Sequence, residues 1–200
     1  MKLTIPSVRA ALAARVALER EAERRAAVAT ILREKDTSME VLLIRRATKL
    51  DDPWSGHMAF PGGRQAADDD TLYVTAIRET CEEVGLDLQQ GAELLGCLDD
   101  VTAIARGKRL PMLIRPFVFA LRDTPDPVLR PQVEEVADAL WVPLLPLMQG
   151  QRDAWVRYEG AGQKLELPGF QVESHVVWGL THGMLSALFA LLRDHERASR

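Results

Sequence analysis

An α+β fold is predicted by three features of the chain. Apolar runs of strand length and helical apolar stripes occur without regular alternation, which argues against a βαβ repeat. Two such runs, Ala26–Leu32 and Val41–Ile44, flank the polar stretch Glu34–Ser38 in the manner of a hairpin. A helical pattern from about Thr71 to Val84, stopped by Gly85, follows a loop rich in Pro and Gly between Asp51 and Gly63. Two hundred residues, 47% hydrophobic and 27% charged, are enough for one sizeable core. Residues 26–200 are expected to form a single domain, with residues 1–25 contributing an N-terminal helix that packs on it.

That first helix is read from Ser7, as N-cap, to Arg25, in an Ala-rich stretch with Glu and Arg pairs on its face. After the acidic helix, strands are expected at Glu93–Leu98 and Leu113–Leu121, joined by a cationic loop holding Arg106, Lys108 and Arg109. A short strand at Ala139–Val142 runs into Pro143, and Trp155–Tyr158 with Lys164–Leu167 suggests another hairpin. The 17 residues from Val176 to Leu192 carry no Asp, Glu, Lys or Arg. Their length and their content of Thr181, His182, Gly183 and Ser186 favour a buried closing helix over a membrane span. His175 and His182 are read as structural residues of that helix.

Composition narrows the function. A formal charge of −4 argues against a protein that grips nucleic acid by bulk electrostatics, but leaves room for a small anionic ligand. Two cysteines, Cys81 and Cys97, are too few for a disulfide framework, and no secretory signal is legible, so a cytoplasmic setting is expected. A homodimer is an open alternative suggested by the apolar last helix.

The helix at Thr71–Val84 carries the chemistry. Asp68, Asp69 and Asp70 stand at its start, where carboxylates complement free amides. At about 100° per residue, Val74, Ile77, Cys81 and Val84 share one face, read as the core side, and Glu79, Glu82 and Glu83 the opposite one. The competing reading is a solvated acidic face with an Arg78–Glu82 pair. Clustered like charges are also relieved by a hard divalent cation, and the preceding Phe60-Pro61-Gly62-Gly63 turn could direct a carbonyl oxygen towards it.

With these residues the sequence resembles the Nudix hydrolase family. That family's box is Gly, five residues, Glu, seven residues, then Arg-Glu-U-x-Glu-Glu-x-Gly-U, with U aliphatic. Arg78-Glu79-Thr80-Cys81-Glu82-Glu83-Val84-Gly85-Leu86 matches its second half, with Thr80 at an aliphatic position. Counting from Gly63, Asp69 takes the place of the first Glu, and one extra residue precedes Arg78. The resemblance implies an α/β/α sandwich with a central mixed sheet and a pyrophosphatase activity dependent on Mg²⁺ or Mn²⁺. It implies Glu79, Glu82, Glu83 and the Gly62 carbonyl as metal ligands, with Arg78 orienting the carboxylates. Glu135, in the segment before Trp141, would be a further ligand or the base, with Glu134 second and a solvated acidic turn as the competing reading. Asp99 and Asp100 are read as ending a strand. Cys81 is not read as a nucleophile.

The upstream segment Val41-Leu-Leu-Ile-Arg-Arg46, Pro53-Trp-Ser-Gly-His57 and the later Trp178-Gly-Leu-Thr181 are similar to the coenzyme A pyrophosphatase branch. Arg46 is the residue this resemblance favours for substrate phosphate, and Trp54, His57 and Arg64 are further candidates for substrate contact, with a packed loop aromatic as the competing reading of Trp54. Trp54 stands where that branch has His, and His57 where it has Gln. The implied substrate is coenzyme A or a related nucleotide derivative. ADP-ribose, dinucleotides and nucleoside triphosphates are alternatives, as is a catalytically silent nucleotide-binding module.

Overall fold

The computed structural model describes residues 3–50, 52–122, 126–160 and 163–198, so Asp51, the first residue of the predicted loop, lies outside the described residues. The chain runs α1 (Ile5–Ala13), β1 (Arg24–Lys35), β2 (Ser38–Arg46), β3 (Met58–Ala59), β4 (Gly62–Arg64), α2 (Leu72–Val84), α3 (Leu88–Gly91) and β5 (Ala92–Cys97). It continues with β6 (Val101–Ala105), β7 (Lys108–Leu121), β8 (Val136–Pro143), α4 (Leu144–Met148), β9 (Asp153–Gly160), β10 (Gln163–Val172), β11 (His175–Trp178) and α5 (Gly179–Ala198).

The predicted hairpin is present: β1 and β2 pair antiparallel from Leu32↔Val41 to Lys35↔Ser38. Each then takes another partner, β1 pairing with β4 at Ala26–Val28 and β2 with β3 at Ile44 and Arg45. On its other side β1 lies parallel to β7, which also pairs with β5 and β6, while β8 pairs with β2. This mixed eight-stranded sheet separates two layers. Alternation along β1 sends Ala27, Ala29 and Ile31 to the face covered by α2. Leu32 and Val28 go to the opposite face, under α1, α5 and the three-stranded sheet β11-β10-β9. The architecture is an α+β sandwich about a mixed sheet, as the sequence predicts.

Several elements differ from the sequence reading. The first helix is Ile5–Ala13, capped by Thr4, and Ser7 is the reciprocal partner in a capping box instead of the cap itself. Residues 16–22 form neither helix nor strand although most are good helix formers. Their amides have better partners: Leu18 N donates to Asp99 at 2.7 Å, Arg20 N donates to the Asp100 carboxylate at 2.7 Å, and Asp100 N donates to Leu18 O at 3.0 Å. Tertiary hydrogen bonds outweigh propensities of a few tenths of a kcal/mol per residue. The closing helix begins at Gly179, because Val176–Trp178 form a strand with β10, and His175 lies in β11. Arg106 and Gly107 form a tight turn between β6 and β7, so the expected loop is a second hairpin. The apolar side of α5, including Leu185, Leu188 and Phe189, is buried within its own core. Among the described residues no helix is long and apolar enough to cross a membrane.

Candidate active site

Helix α2 is capped by Thr71, whose side chain accepts from Val74 N, and is ended by Gly85 in the left-handed region at φ +70°. The preceding aspartates do not cap it. Its buried side is Leu72, Ala76, Thr80 and Val84. This is about a quarter turn from the expected core face, since Val74 and Cys81 are exposed. Two small residues, Ala76 and Thr80, permit close approach to the sheet, and the Thr80 hydroxyl is satisfied by donating to Ala76 O at 2.7 Å. The carboxylates therefore flank the packed side instead of opposing it. Glu83 is 2% exposed, and Glu79, one turn earlier, is partly buried.

Strand β4 meets these two carboxylates. Gly62 N donates to Glu83 Oε2 at 2.8 Å. Gly62 has φ +147°, and a Cβ there would stand 2.3 Å from Ala27 O, so β1 leaves room only for glycine. A Cβ on Gly63 would lie 2.4 Å from the Glu79 carboxylate. The double glycine thus lets a strand backbone run against two acidic side chains. Burial pushes the Glu83 carboxyl up to about 8, against the opposing pull of the Gly62 amide and the Arg46 charge. Burial also raises Glu79, with Arg78 acting in the other direction.

Arg78 is held as a fork. Its Nε and Nη2 donate to Asp69 at 3.0 and 2.8 Å, and Nη2 also donates to Arg64 O at 3.2 Å. Its Nη1 lies 2.8 Å from Glu82 and 3.0 Å from Glu79. Asp69 is buried and accepts further bonds from Ala66 N and the Thr75 hydroxyl. The guanidinium beside it holds its carboxyl well below the usual range, and Asp69 in turn raises Arg78. Asp69 lies behind Arg78, where it fixes the group that orients Glu79 and Glu82. Glu82 is exposed at the rim and engaged by Arg78.

Glu79, Glu83, Gly62 and Gly63 border a cleft of about 1460 Å³. Arg46, Trp54, His57, Arg64 and Glu135 line the same cleft, whereas Arg45, Glu82 and Glu134 do not. Glu135 is exposed, and its charge and that of Glu79 both act on Glu83. The Arg46 guanidinium is fixed by Asp52, through Nη2 at 2.7 Å and Nε at 3.2 Å. Trp54 donates its indole N–H to Ile104 O at 3.0 Å and presents only its ring to the cleft. His57 packs against Trp178 with ring centroids 4.6 Å apart and planes tilted by 53°, and burial lowers its pKa. The apolar lining was not expected from sequence: Tyr158, Leu165, Leu167 and Trp178 from the small sheet and Ile104 and Leu110 from the β6–β7 hairpin line the same cleft. Alternation of Leu165 and Leu167 with Lys164 and Glu166 was the available signal. Asp52, by contrast, sits in a loop with no periodicity to mark it.

Arg115 and Asp100 form a second, separate network, with Nε–Oδ1 at 2.8 Å and Nη2–Oδ2 at 3.0 Å, which Glu19 extends at 2.8 Å from Arg115. Asp99 and Asp100 therefore hold the N-terminal segment on the β5–β6 turn.

Among the described residues no three His, Cys, Asp or Glu side chains form an all-protein cation cage. A small divalent cation does not need one, since one or two carboxylates, waters and substrate oxygens complete its shell. Two carboxylates one helical turn apart, one of them buried beside a backbone amide, fit that donor set.

Comparison with known proteins agrees with this geometry. The NUDIX domain profile matches residues 23–159. An uncharacterized Schizosaccharomyces pombe protein is 44% identical over 110 residues, covering 54% of this chain and 33% of that protein. The mitochondrial coenzyme A diphosphatase NUDT8 of Mus musculus is 32% identical over 142 residues, covering 70% of this chain and 65% of that one. The chain thus spans between one third and about two thirds of the length of these two relatives. Among solved structures, the NUDIX domain of Shewanella oneidensis NrtR in complex with ADP ribose superposes with a TM-score of 0.52 at 18% identity, covering 88% of this chain and 90% of that one, a likeness of fold. With the profile matched over more than half of its length and the Arg78–Gly85 segment folded against a double glycine, the chain belongs to the Nudix family.

Proposed function

We propose that this protein is a metal-dependent pyrophosphohydrolase that cleaves the phosphoanhydride bond of coenzyme A or a closely related nucleotide derivative. The observation that carries the reading is the pairing, in one cleft, of the Glu79 and Glu83 carboxylates with a long apolar and aromatic wall. A nucleobase can stack on its aromatic part, and a pantetheine arm can cover the aliphatic remainder. Similarity to the mouse coenzyme A diphosphatase supports the same substrate.

Glu79 and Glu83 would hold Mg²⁺ or Mn²⁺ with the Gly62 carbonyl, and Glu82, at the rim, would serve as an outer donor. A divalent cation supplies charge neutralisation and water activation to such a site. Arg78 keeps the carboxylates in place, and Arg46, fixed by Asp52, binds a phosphate oxygen. Glu135 takes the proton from the attacking water. Attack at one phosphorus breaks the bridging P–O bond and leaves two phosphate monoesters. Free Cys81 and Cys97 fit a reducing compartment such as the cytoplasm.

The test is incubation with Mg²⁺ or Mn²⁺ and a panel of coenzyme A, ADP-ribose, dinucleotides and nucleoside triphosphates. Coenzyme A should give phosphopantetheine and adenosine 3′,5′-bisphosphate and be cleaved best. Faster cleavage of another member would reassign the substrate, and no turnover of any would overturn the enzyme reading.

A further inference from the structure

Outside the carboxylate site, three arginines gather at one end of β1 and β4. Arg24, Arg25 and Arg64 border a hollow of about 390 Å³, together with Gln65, Ala66, Ala67 and the single carboxylate Glu23. None of the three arginines has an ion pair among the described residues, where ten other basic residues pair with carboxylates. The Nε of Arg25 is buried without a hydrogen-bond partner. Strand register explains why the charges gather. Arg64 pairs with Ala26, and Arg24 lies two residues before Ala26 on β1. Arg24 and Arg64 therefore project from the same face as diagonal neighbours on adjacent strands, about 7–8 Å apart. Like charges so placed repel unless an anion stands between them.

The hollow and the catalytic cleft share a lining residue. Arg64 borders both, and Ala26 and Val28, which follow Arg24 on the same face of β1, line the cleft. We propose that Arg24 and Arg64 form a second anion subsite that binds a phosphate monoester of the substrate remote from the anhydride that is cut. The proposal rests on the pyrophosphohydrolase reading and deepens it: the preferred substrate carries a third phosphate on its nucleoside half. Coenzyme A has such a group on its ribose, whereas ADP-ribose and simple dinucleotides have none. Two arginines matched to a phosphate dianion form charge-assisted hydrogen bonds that a hydroxyl cannot replace.

The experiment compares kcat/KM for coenzyme A and 3′-dephospho-coenzyme A in the full chain and in the Arg24→Ala/Arg64→Ala double variant. The natural chain should prefer coenzyme A by on the order of ten-fold at low ionic strength, less at high salt, and the double variant by no more than about two-fold. Arg24→Glu should invert the preference. Equal use of both substrates by the natural chain, or an unchanged preference in the double variant, overturns the proposal. A parallel binding measurement keeps it separate from the activity. Adenosine 3′,5′-bisphosphate should bind about ten-fold more tightly than AMP, and the double variant should lose that margin. If neither coenzyme is cleaved, the pyrophosphohydrolase reading fails while the binding ratio still decides whether the subsite exists.

Discussion

At the scale of the residue, Glu83 combines two opposing demands. It is 2% exposed, and burial has pushed its carboxyl from an ordinary 4.5 up to about 8. Below pH 4.5 the carboxyl is protonated in both folded and unfolded chains. Between 4.5 and 8 the metal-free folded state retains a proton that the unfolded state has lost, so this residue's destabilisation grows as pH rises through that window. Glu83→Gln should therefore be more stable than the natural chain without metal, by on the order of 1–2 kcal/mol at pH 8 and by little at pH 5, in urea unfolding with chelator. A difference independent of pH would show that Glu83 is not held in a desolvated site. The same variant should lose at least about 100-fold in kcat, since a neutral amide is a poor ligand for a hard cation. Asp69 carries the opposite sign: its depressed carboxyl stabilises the fold above its ordinary pKa, and that contribution is lost as acid protonates it.

At the scale of the element, the two glycines of β4 should fail in different ways. A Cβ on Gly62 meets backbone, Ala27 O at 2.3 Å and Val28 Cα at 2.6 Å, whereas a Cβ on Gly63 meets the movable end of Glu79. Gly62→Ala should lower thermal stability by several degrees or prevent folding. Gly63→Ala should fold with a modest loss of stability and a large loss of kcat. Equal melting temperatures for the two would contradict the close approach of β4 to β1. Thr71→Ala, which removes the cap of α2, should cost about 1 kcal/mol in the same assay.

What the sequence disclosed also divides by element. The β1–β2 hairpin and α2 were legible because local pattern and final structure agree: apolar strands around a polar turn, and a helix closed by Gly85. The face of α2 was misplaced because its packed side is built on Ala76 and Thr80, whose smallness matters more than their hydropathy, while Val74 and Cys81 remain exposed. The clustering of Glu79 and Glu83 could be read from spacing, but their position beside Gly62 and Gly63 depends on a register that no local signal contains. Val176–Trp178 looked helical until β10 offered a strand partner.

At the scale of the molecule, the N-terminal segment is held by polar contacts to a distant turn. Asp99 and Asp100 receive the amides of Leu18 and Arg20, and the buried Arg115–Asp100 pair anchors that turn. Asp100→Ala leaves Arg115 without its bidentate partner and should destabilise the protein by roughly 3 kcal/mol. It should also expose residues 15–20 to trypsin at Arg15 and Arg20 before the rest of the chain is cut. Unchanged resistance at those two sites would mean the segment is held by other contacts.

The divalent site on α2 joins these scales, because it requires a buried carboxylate, a glycine strand against a helix, and a cleft closed by the second sheet. Mn²⁺ binding measured by electron paramagnetic resonance, together with coenzyme A turnover, tests it most directly in the natural chain and in the Glu79→Gln/Glu83→Gln variant. The natural chain should bind Mn²⁺ and hydrolyse coenzyme A, and the variant should lose both while remaining folded. Mn²⁺ binding of equal strength in the folded variant would contradict the assignment of Glu79 and Glu83.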